Sequence, residues 1–350
     1  MSASTVSPRL TSFDSPDRTI VVLGATGQQG SGAVLHLLAR TSFRVVALTR
    51  SPSSSTSVAL LEKHKAHVDS GRFRLEQADI EEDGSLEKAF EGAWGVFAVT
   101  QWKTPVQTEE DLKVELFGGK KIVDAAQTAG VSHLIYSGLP SPSAATSNQF
   151  QHIWHFEHKA SVEQYALETL GSDRVTFVHA GMFLANFFWP TFSGKADDGV
   201  LEFRAPLGAD TLQAWTDPAY DVGLFASELF LLGPSSTGGK TYPVHSSPLS
   251  LSSLSSLYTQ QTGLPSRVNP SPVDGFAATI AAYQGPGLER DAGEMMRFFE
   301  WAGEPYAEGK ADYGAMEKEE YEARVAELGG RVRASTFEEW LERSGFGASA

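Results

Sequence analysis

Thr19-Ile20-Val21-Val22-Leu23-Gly24-Ala25-Thr26-Gly27-Gln28-Gln29-Gly30-Ser31-Gly32 is the stretch that decides the fold. A β-branched apolar run enters a glycine turn, and a helical pattern, Ala33-Val34-Leu35-His36-Leu37-Leu38, leaves it. The glycines at 24, 27 and 30 have the spacing of a strand–turn–helix that receives a dinucleotide pyrophosphate. Gly24 allows the tight turn, Gly27 lets backbone approach phosphate, and Gly30 lets the helix pack close to the strand. The helix that follows aims its unpaired N–H groups at the anion. A glycine triplet alone is weak, since 33 of the 350 residues are Gly. The strand before it and the helix after it give this one its force.

Strand one is expected over Thr19–Leu23 and helix one from about Gly27 to Ala39. The next buried run, Phe43–Thr49, ends at Arg50. An acidic residue here would take the ribose hydroxyl of NAD, whereas Arg suits the 2′-phosphate of NADP. The sequence is Thr49-Arg50-Ser51, so the reading favours NADP. Arg50 can pair with phosphate in bidentate fashion, and Ser51 and Ser53–Ser55 offer hydroxyls. The alternative is a solvated surface arginine.

A helix is expected over Ser57–His67 and a strand over Phe73–Ala78. Asp79-Ile80 then falls at the carboxyl edge of the sheet, where an adenine would lie, and Asp79 also suits a turn. Strands Gly95–Thr100, Val131–Gly138 and Val175–His179 alternate with helices over Glu109–Gly130 and after His152. That alternation predicts a doubly wound parallel sheet. Beyond residue 190 the pattern loosens. Short strands are expected at Leu201–Arg204, Thr211–Trp215 and Lys240–Val244. Helices are expected at Tyr220–Leu232, at 275–300 and at 311–331, and a capping box opens a last one at Thr336.

Composition bounds the function. The 41% hydrophobic content can fill a sizeable core, and no run approaches the roughly 20 apolar residues of a membrane span. Net charge is −15, which argues against direct nucleic-acid binding. Cysteine is absent, which removes disulfides, thiolate zinc sites and cysteine nucleophiles and fits a reducing, cytoplasmic setting. Residues 1–17, rich in Ser, Thr and Pro, read as a disordered leader. His152, His155 and His158 recur every three residues, but no carboxylate motif accompanies them and Glu157 lies off their face, so no metal is expected.

Four segments together resemble the NmrA-like family of atypical short-chain dehydrogenases/reductases. They are Gly24–Gly30, Ile135-Tyr136-Ser137-Gly138-Leu139, Phe156-Glu157-His158-Lys159, and Ala180-Gly181-Met182-Phe183-Leu184-Ala185-Asn186. Asp217–Gly223 resembles the family's later Asp-x-Gly segment, and Thr336–Leu341 its closing helix. The resemblance implies a Rossmann domain over 18–190, completed by later segments, and a smaller C-terminal α/β substrate lobe over 191–350. It implies that Gly24, Ala25, Thr26, Gly27, Gln28, Gln29 and Gly30 hold the pyrophosphate, Arg50 and Ser51 the 2′-phosphate, and Asp79-Ile80 the adenine. Thr100-Gln101-Trp102 would line the ribose and nicotinamide. Lys159 would hold the ribose hydroxyls, and Met182, Phe183 and Asn186 would close over the ring.

Standard members of the superfamily place a catalytic Tyr four residues before the Lys; here that position is His155. The Tyr hydroxyl protonates the carbonyl oxygen as hydride arrives, and the Lys lowers its pKa. A histidinium is a competent acid near neutral pH, so His155 is a candidate beside Lys159 and Ser137, whose hydroxyl can polarise a carbonyl. Packing of His155 and a turn role for Ser137 are the plainer readings. Two functions follow from the resemblance. One is an NADP-dependent reductase of a small apolar carbonyl, enone or imine, bound in a cleft lined by Trp102, Phe183 and Phe187. The other is a dinucleotide-sensing regulator that binds a protein partner according to redox state. Phe187 is otherwise a core residue. Substrate identity and oligomeric state are not legible.

Overall fold

The computed structural model describes residues 13–101 and 103–347. The first strands are β1 (Thr19–Val22), β2 (Arg44–Thr49), β3 (Phe73–Gln77), β4 (Gly95–Val99), β5 (His133–Gly138) and β6 (Val175–Ala180). Between them lie α1 (Gln28–Arg40), α2 (Ser55–Lys63), α3 (Lys65–Asp69), α4 (Ser85–Ala89), α5 (Lys113–Thr128), α6 (Pro142–Ala145) and α7 (Trp154–Leu170). Short strands β7 (Met182–Phe183), β8 (Ser193–Lys195), β9 (Leu201–Phe203) and β10 (Trp215–Thr216) follow, then α8 (Asp221–Leu232), α9 (Pro234–Thr237) and β11 (Thr241–Val244). The chain ends through α10 (Leu251–Thr262), β12 (Ser266–Val268), α11 (Val273–Gln284), α12 (Glu289–Ala307), α13 (Lys318–Glu327) and α14 (Phe337–Ser344).

The central sheet has the order β11-β6-β5-β4-β1-β2-β3, and every neighbouring pair is parallel. This is the expected doubly wound Rossmann sheet. Its winding reverses between β1 and β4, which opens a crevice beyond their carboxyl ends. Alternate residues face opposite sides, as strand geometry requires. Ile20, Val22, Val45 and Ala47 pack under α1 and α8. Val21, Val46, Leu48 and Val96 pack under α5 and α7.

The segment containing Asp217 and Gly223 locks this layer. Gly223 of α8 crosses Gly32 of α1 so closely that a Cβ on Gly223 would lie 2.0 Å from the Gly32 carbonyl carbon. Asp221 is buried and accepts hydrogen bonds from Asp217 N and from the N and Oγ of Ser335. The C-terminal third therefore returns to the central sheet through α8, β11 and Leu328, Val332 and Ala334. The remaining later elements bury a separate aromatic core around Phe187, Trp215, Tyr258, Phe299 and Trp340. Two small sheets, β10-β7 and β12-β9-β8, belong to it.

Several expected boundaries move. The helix expected at 57–67 breaks at His64. The helix expected at 275–300 is two, because Gly285 takes φ +114° and Pro286 follows it. The strand expected at 211–215 contributes only Trp215 onward, with one bridge from Gln213 to Leu249. The helix expected at 311–331 shortens to Lys318–Glu327, since Asp312, Tyr313 and Gly314 are left-handed. The capping box at Thr336 forms with Glu339. The leader lies outside the described residues as far as position 12. Its last part is ordered, contrary to expectation: Phe13 stacks on Trp94 and its N–H donates to Leu231 O, because an apolar residue there completes the edge of the core.

Candidate functional site

The glycine turn is built as the sequence suggests. Gly24 has φ +64°, a conformation that L-residues with side chains avoid. A Cβ on Gly30 would fall 2.2 Å from Gly24 O and 2.5 Å from its carbonyl carbon, so the helix touches the turn with no room to spare. Gly27 caps α1 with no side-chain hydrogen bond, which leaves the first-turn amides open to an anion. Gly24, Gly27 and Gln28 are exposed, Thr26 and Gln29 are half-buried, and Ala25 is buried beneath them. This bare helix start behind two exposed glycines fits a pyrophosphate.

Arg50 is exposed just past β2, and Ser51 N is turned back onto Thr49 Oγ1 at 3.2 Å. Ser57 Oγ donates to Ser51 O, and Ser54 caps α2, so a hydroxyl-rich loop stands beside the arginine. Asp79 serves a turn: its Oδ1 accepts from Glu81 N, and its own N–H donates to Ser85 Oγ. Ile80 is half-buried and packs near Gly118. Gln101 is exposed beyond β4, and Trp102 lies outside the described residues.

Thr100 and Lys159 meet. Lys159 sits on α7 with its Nζ donating to Thr100 O and Thr100 Oγ1, both at 3.0 Å. Its third partner is Glu115 Oε1, at 2.7 Å. Glu115 is 1% exposed and Lys159 8%. The Thr100 hydroxyl also contacts Glu115 Oε1 at 3.1 Å and Tyr136 OH at 2.9 Å. Burial holds the Tyr136 phenol well above its ordinary pKa, and the Glu115 charge adds to this. Gly119 makes this cluster possible, since a Cβ there would lie 2.4 Å from Val162 Cγ2. The close α5–α7 contact lies one turn from both Glu115 and Lys159.

Neither Glu115 nor Tyr136 figured among the sequence candidates. The signal for Glu115 was present: it stands with Gly119, Ile122 and Ala126 on the buried stripe of α5, where an acid needs a partner.

Ser137 is buried and donates to Gln29 Oε1 at 2.6 Å, so a catalytic candidate is joined to the start of α1 beside the glycine turn. His155 lies with Nδ1 2.7 Å from Asp291 Oδ1 on α12, and Asp291 Oδ2 also takes its backbone N–H. His152 pairs in the same way with Glu294, one turn further along α12. His158 is buried under Trp154, and burial lowers its pKa. The three histidines thus have three separate environments, two of them contacts with α12.

Met182 is buried in the later core, whereas Phe183 and Asn186 are half-buried at the end of β7 and just beyond it. Phe187 corrects the expected cleft lining. It is 1% exposed and packs against Phe203 and Trp215, because its ring is needed to fill that core. Phe188 and Trp189 are the exposed members of that aromatic run.

A second buried charged cluster adjoins Lys159 one turn along α7. His179, at the end of β6, lies between Glu163 Oε1, 2.6 Å from Nε2, and the Asp312 carboxylate, 2.9 Å from Nδ1. Burial works against its charge, but Asp312 and Glu163 outweigh that and raise its pKa to about 10. Gly138 makes room for Glu163, since a Cβ there would lie 1.6 Å from Glu163 Oε1. Asp312 and Tyr313 both hold positive φ, and the Tyr313 hydroxyl donates to Ala180 O.

The NmrA-like family profile matches residues 16–341. The chain belongs to the NmrA-like family. Among its curated relatives is the NmrA-like family domain-containing oxidoreductase cpsB of Aspergillus campestris. It is 33% identical over 262 residues, covering 71% of this chain and 74% of the relative. The oxidoreductase FrzB of Cladobotryum sp is 34% identical over 195 residues, 53% of this chain. The chain spans only 55% of that relative's length. Among solved structures, NmrA, a negative transcriptional regulator in complex with NADP, superposes with TM-score 0.70 at 21% identity, covering 95% of this chain and 98% of NmrA. An NADPH complex of the quinone oxidoreductase QOR2 from Escherichia coli gives TM-score 0.63 at 18% identity, over 93% and 99% of the two chains. These likenesses are of fold. Among the described residues no helix is long and apolar enough to cross a membrane.

Proposed function

We propose that this family member binds NADP(H) and acts as an oxidoreductase on a small apolar carbonyl, enone or imine in a reducing, cytoplasmic setting. The observation that carries the reading is the uncapped start of α1 behind Gly24 and Gly27, with Arg50 in place of an acid beyond β2. The oxidoreductase relatives and the NADP-bound neighbours support it. Gly24 to Gly30 would hold the pyrophosphate, Arg50 and Ser51 the 2′-phosphate, and Asp79 and Ile80 the adenine. Thr100, Gln101, Trp102 and Lys159 would line the nicotinamide ribose, with Met182, Phe183 and Asn186 beyond it. Bound there, the nicotinamide supplies hydride. Ser137, held by Gln29, and Lys159 are the proton-bearing groups grouped with that site, while His155 is engaged with Asp291.

That engagement favours a second reading, a regulator that senses NADP(H) and binds a protein partner by redox state. A screen of NADPH oxidation over carbonyls, enones and imines separates the two. Turnover lost in Lys159→Ala removes the pure sensor. Tight NADPH binding without turnover, with a partner captured in one redox state only, removes the enzyme.

The cofactor choice has its own measurement. Calorimetry should give NADPH at least tenfold tighter than NADH, on the order of 1.4 kcal/mol. Arg50→Ala should erase most of that preference; if the ratio is unchanged, Arg50 is a surface residue.

A further inference from the structure

We infer that Glu115 is the residue that positions Lys159, and that a dinucleotide reaches the ammonium only by replacing its bond to the Thr100 hydroxyl. This rests on the reading of Lys159 as a ribose ligand.

An ammonium has three donors and no acceptor. In this structure all three are committed: to Thr100 O, Thr100 Oγ1 and Glu115 Oε1. A ribose hydroxyl that accepts from Lys159 must therefore displace one of them.

The surroundings decide which. Glu115 is buried, its Oε2 has no hydrogen-bond partner among the described residues, and Lys159 is the cation paired with it. Separating that pair would strand a buried carboxylate, which is strongly unfavourable. The Thr100 hydroxyl is differently placed. It has one proton to give and two lone pairs. Lys159 can only donate to it, and the Glu115 carboxylate can only accept from it. The direction of the chain follows: Tyr136 OH donates to Thr100 Oγ1, and Thr100 Oγ1 donates to Glu115. If Lys159 leaves the hydroxyl, Thr100 still has Tyr136 and Glu115. Opening the bond to Thr100 O instead would take the Lys159 donor from a backbone carbonyl of a buried residue. The Lys159–Thr100 Oγ1 bond is thus the one that opens, while Glu115 keeps the ammonium in place. The polar partners of Glu115 among the described residues are Lys159 and Thr100, so the loss on removing its charge should fall on the nicotinamide half.

The test compares two ligands by calorimetry: NADPH, and adenosine 2′,5′-bisphosphate, which lacks the nicotinamide ribose. Glu115→Gln should weaken NADPH by about tenfold and leave the bisphosphate unchanged. Glu115→Asp, which keeps the charge, should recover much of the loss. Glu115→Gln combined with Lys159→Met should bind NADPH no more weakly than Lys159→Met alone, since Glu115 acts through Lys159. Equal weakening of both ligands, unchanged NADPH affinity, or additive losses in the double variant would each overturn the inference. If the unmodified protein binds the bisphosphate but NADPH no tighter, Lys159 is not a ribose ligand and the inference falls while the phosphate site stands. If it binds neither, the dinucleotide reading itself falls. Should Glu115→Gln not fold, Glu115→Asp, which keeps the charge but draws the carboxylate back from the 2.7 Å contact with Lys159, still decides. NADPH should bind it more weakly than it binds the unmodified protein while the bisphosphate binds equally; equal weakening of both ligands, or no change in either, would overturn the inference.

Discussion

His179→Ala should destabilise the protein by about 3–5 kcal/mol, the usual cost of removing one member of a buried ion pair. That is a large share of a total stability of about 5–15 kcal/mol. Two carboxylates, Glu163 and Asp312, face the imidazole from α7 and from the segment before α13, and both would be left buried without their cation. Burial already pushes the Glu163 carboxyl up, with His179 the main restraint on it.

The sign of the pH dependence follows from the raised pKa. A histidine held at about 10 in the folded chain, against 6.5 in the unfolded one, gives its full stabilisation below pH 6.5. That stabilisation is lost as pH rises through 10. Urea unfolding of the unmodified protein should therefore show stability falling between pH 7 and 10, and the His179→Ala variant should lose most of that slope. An unchanged slope would mean that other groups titrate there. His179→Ala with Asp312→Ala should cost less than the two single losses together, because the second change removes a carboxylate that the first had stranded.

Gly30→Ala should abolish dinucleotide binding within the range of calorimetry while leaving a folded chain. The added Cβ would sit 2.2 Å from Gly24 O, about 1 Å short of a tolerable approach, and its other neighbours are backbone atoms that cannot rotate aside. Relief must come from moving the turn off α1. That shift takes the Gly24 and Gly27 backbone away from the helix start, so the loss falls on the proposed phosphate site. Circular dichroism should retain the native helix signal, with a lower melting temperature. Retained NADPH affinity would show that the turn tolerates the shift and that the anion is held elsewhere.

Local features were the legible ones. The strand-turn-helix at Thr19 to Gly32 could be read because hydrophobic period and glycine spacing are properties of neighbours in the chain. Helix ends depended on less local facts. The helix expected across 275–300 stops at Gly285 because its backbone rests on Val106, more than a hundred residues earlier; a Cβ there would meet Val106 O at 2.1 Å. Phe187 could be placed in a cleft or a core on sequence grounds alone. The rings of Phe203 and Trp215 put it in the core.

The sequence by itself determined the doubly wound sheet, the family and the glycine turn between β1 and α1, since each rests on residues adjacent or regularly spaced along the chain. Only the tertiary structure decided the company each ionisable group keeps. Lys159 meets Glu115, His155 meets Asp291, and His179 meets Glu163 and Asp312. Those pairings span between 16 and 136 positions of sequence. The physical reason is that a buried charge must be matched wherever the chain brings an opposite one, and nothing in local periodicity records which that will be.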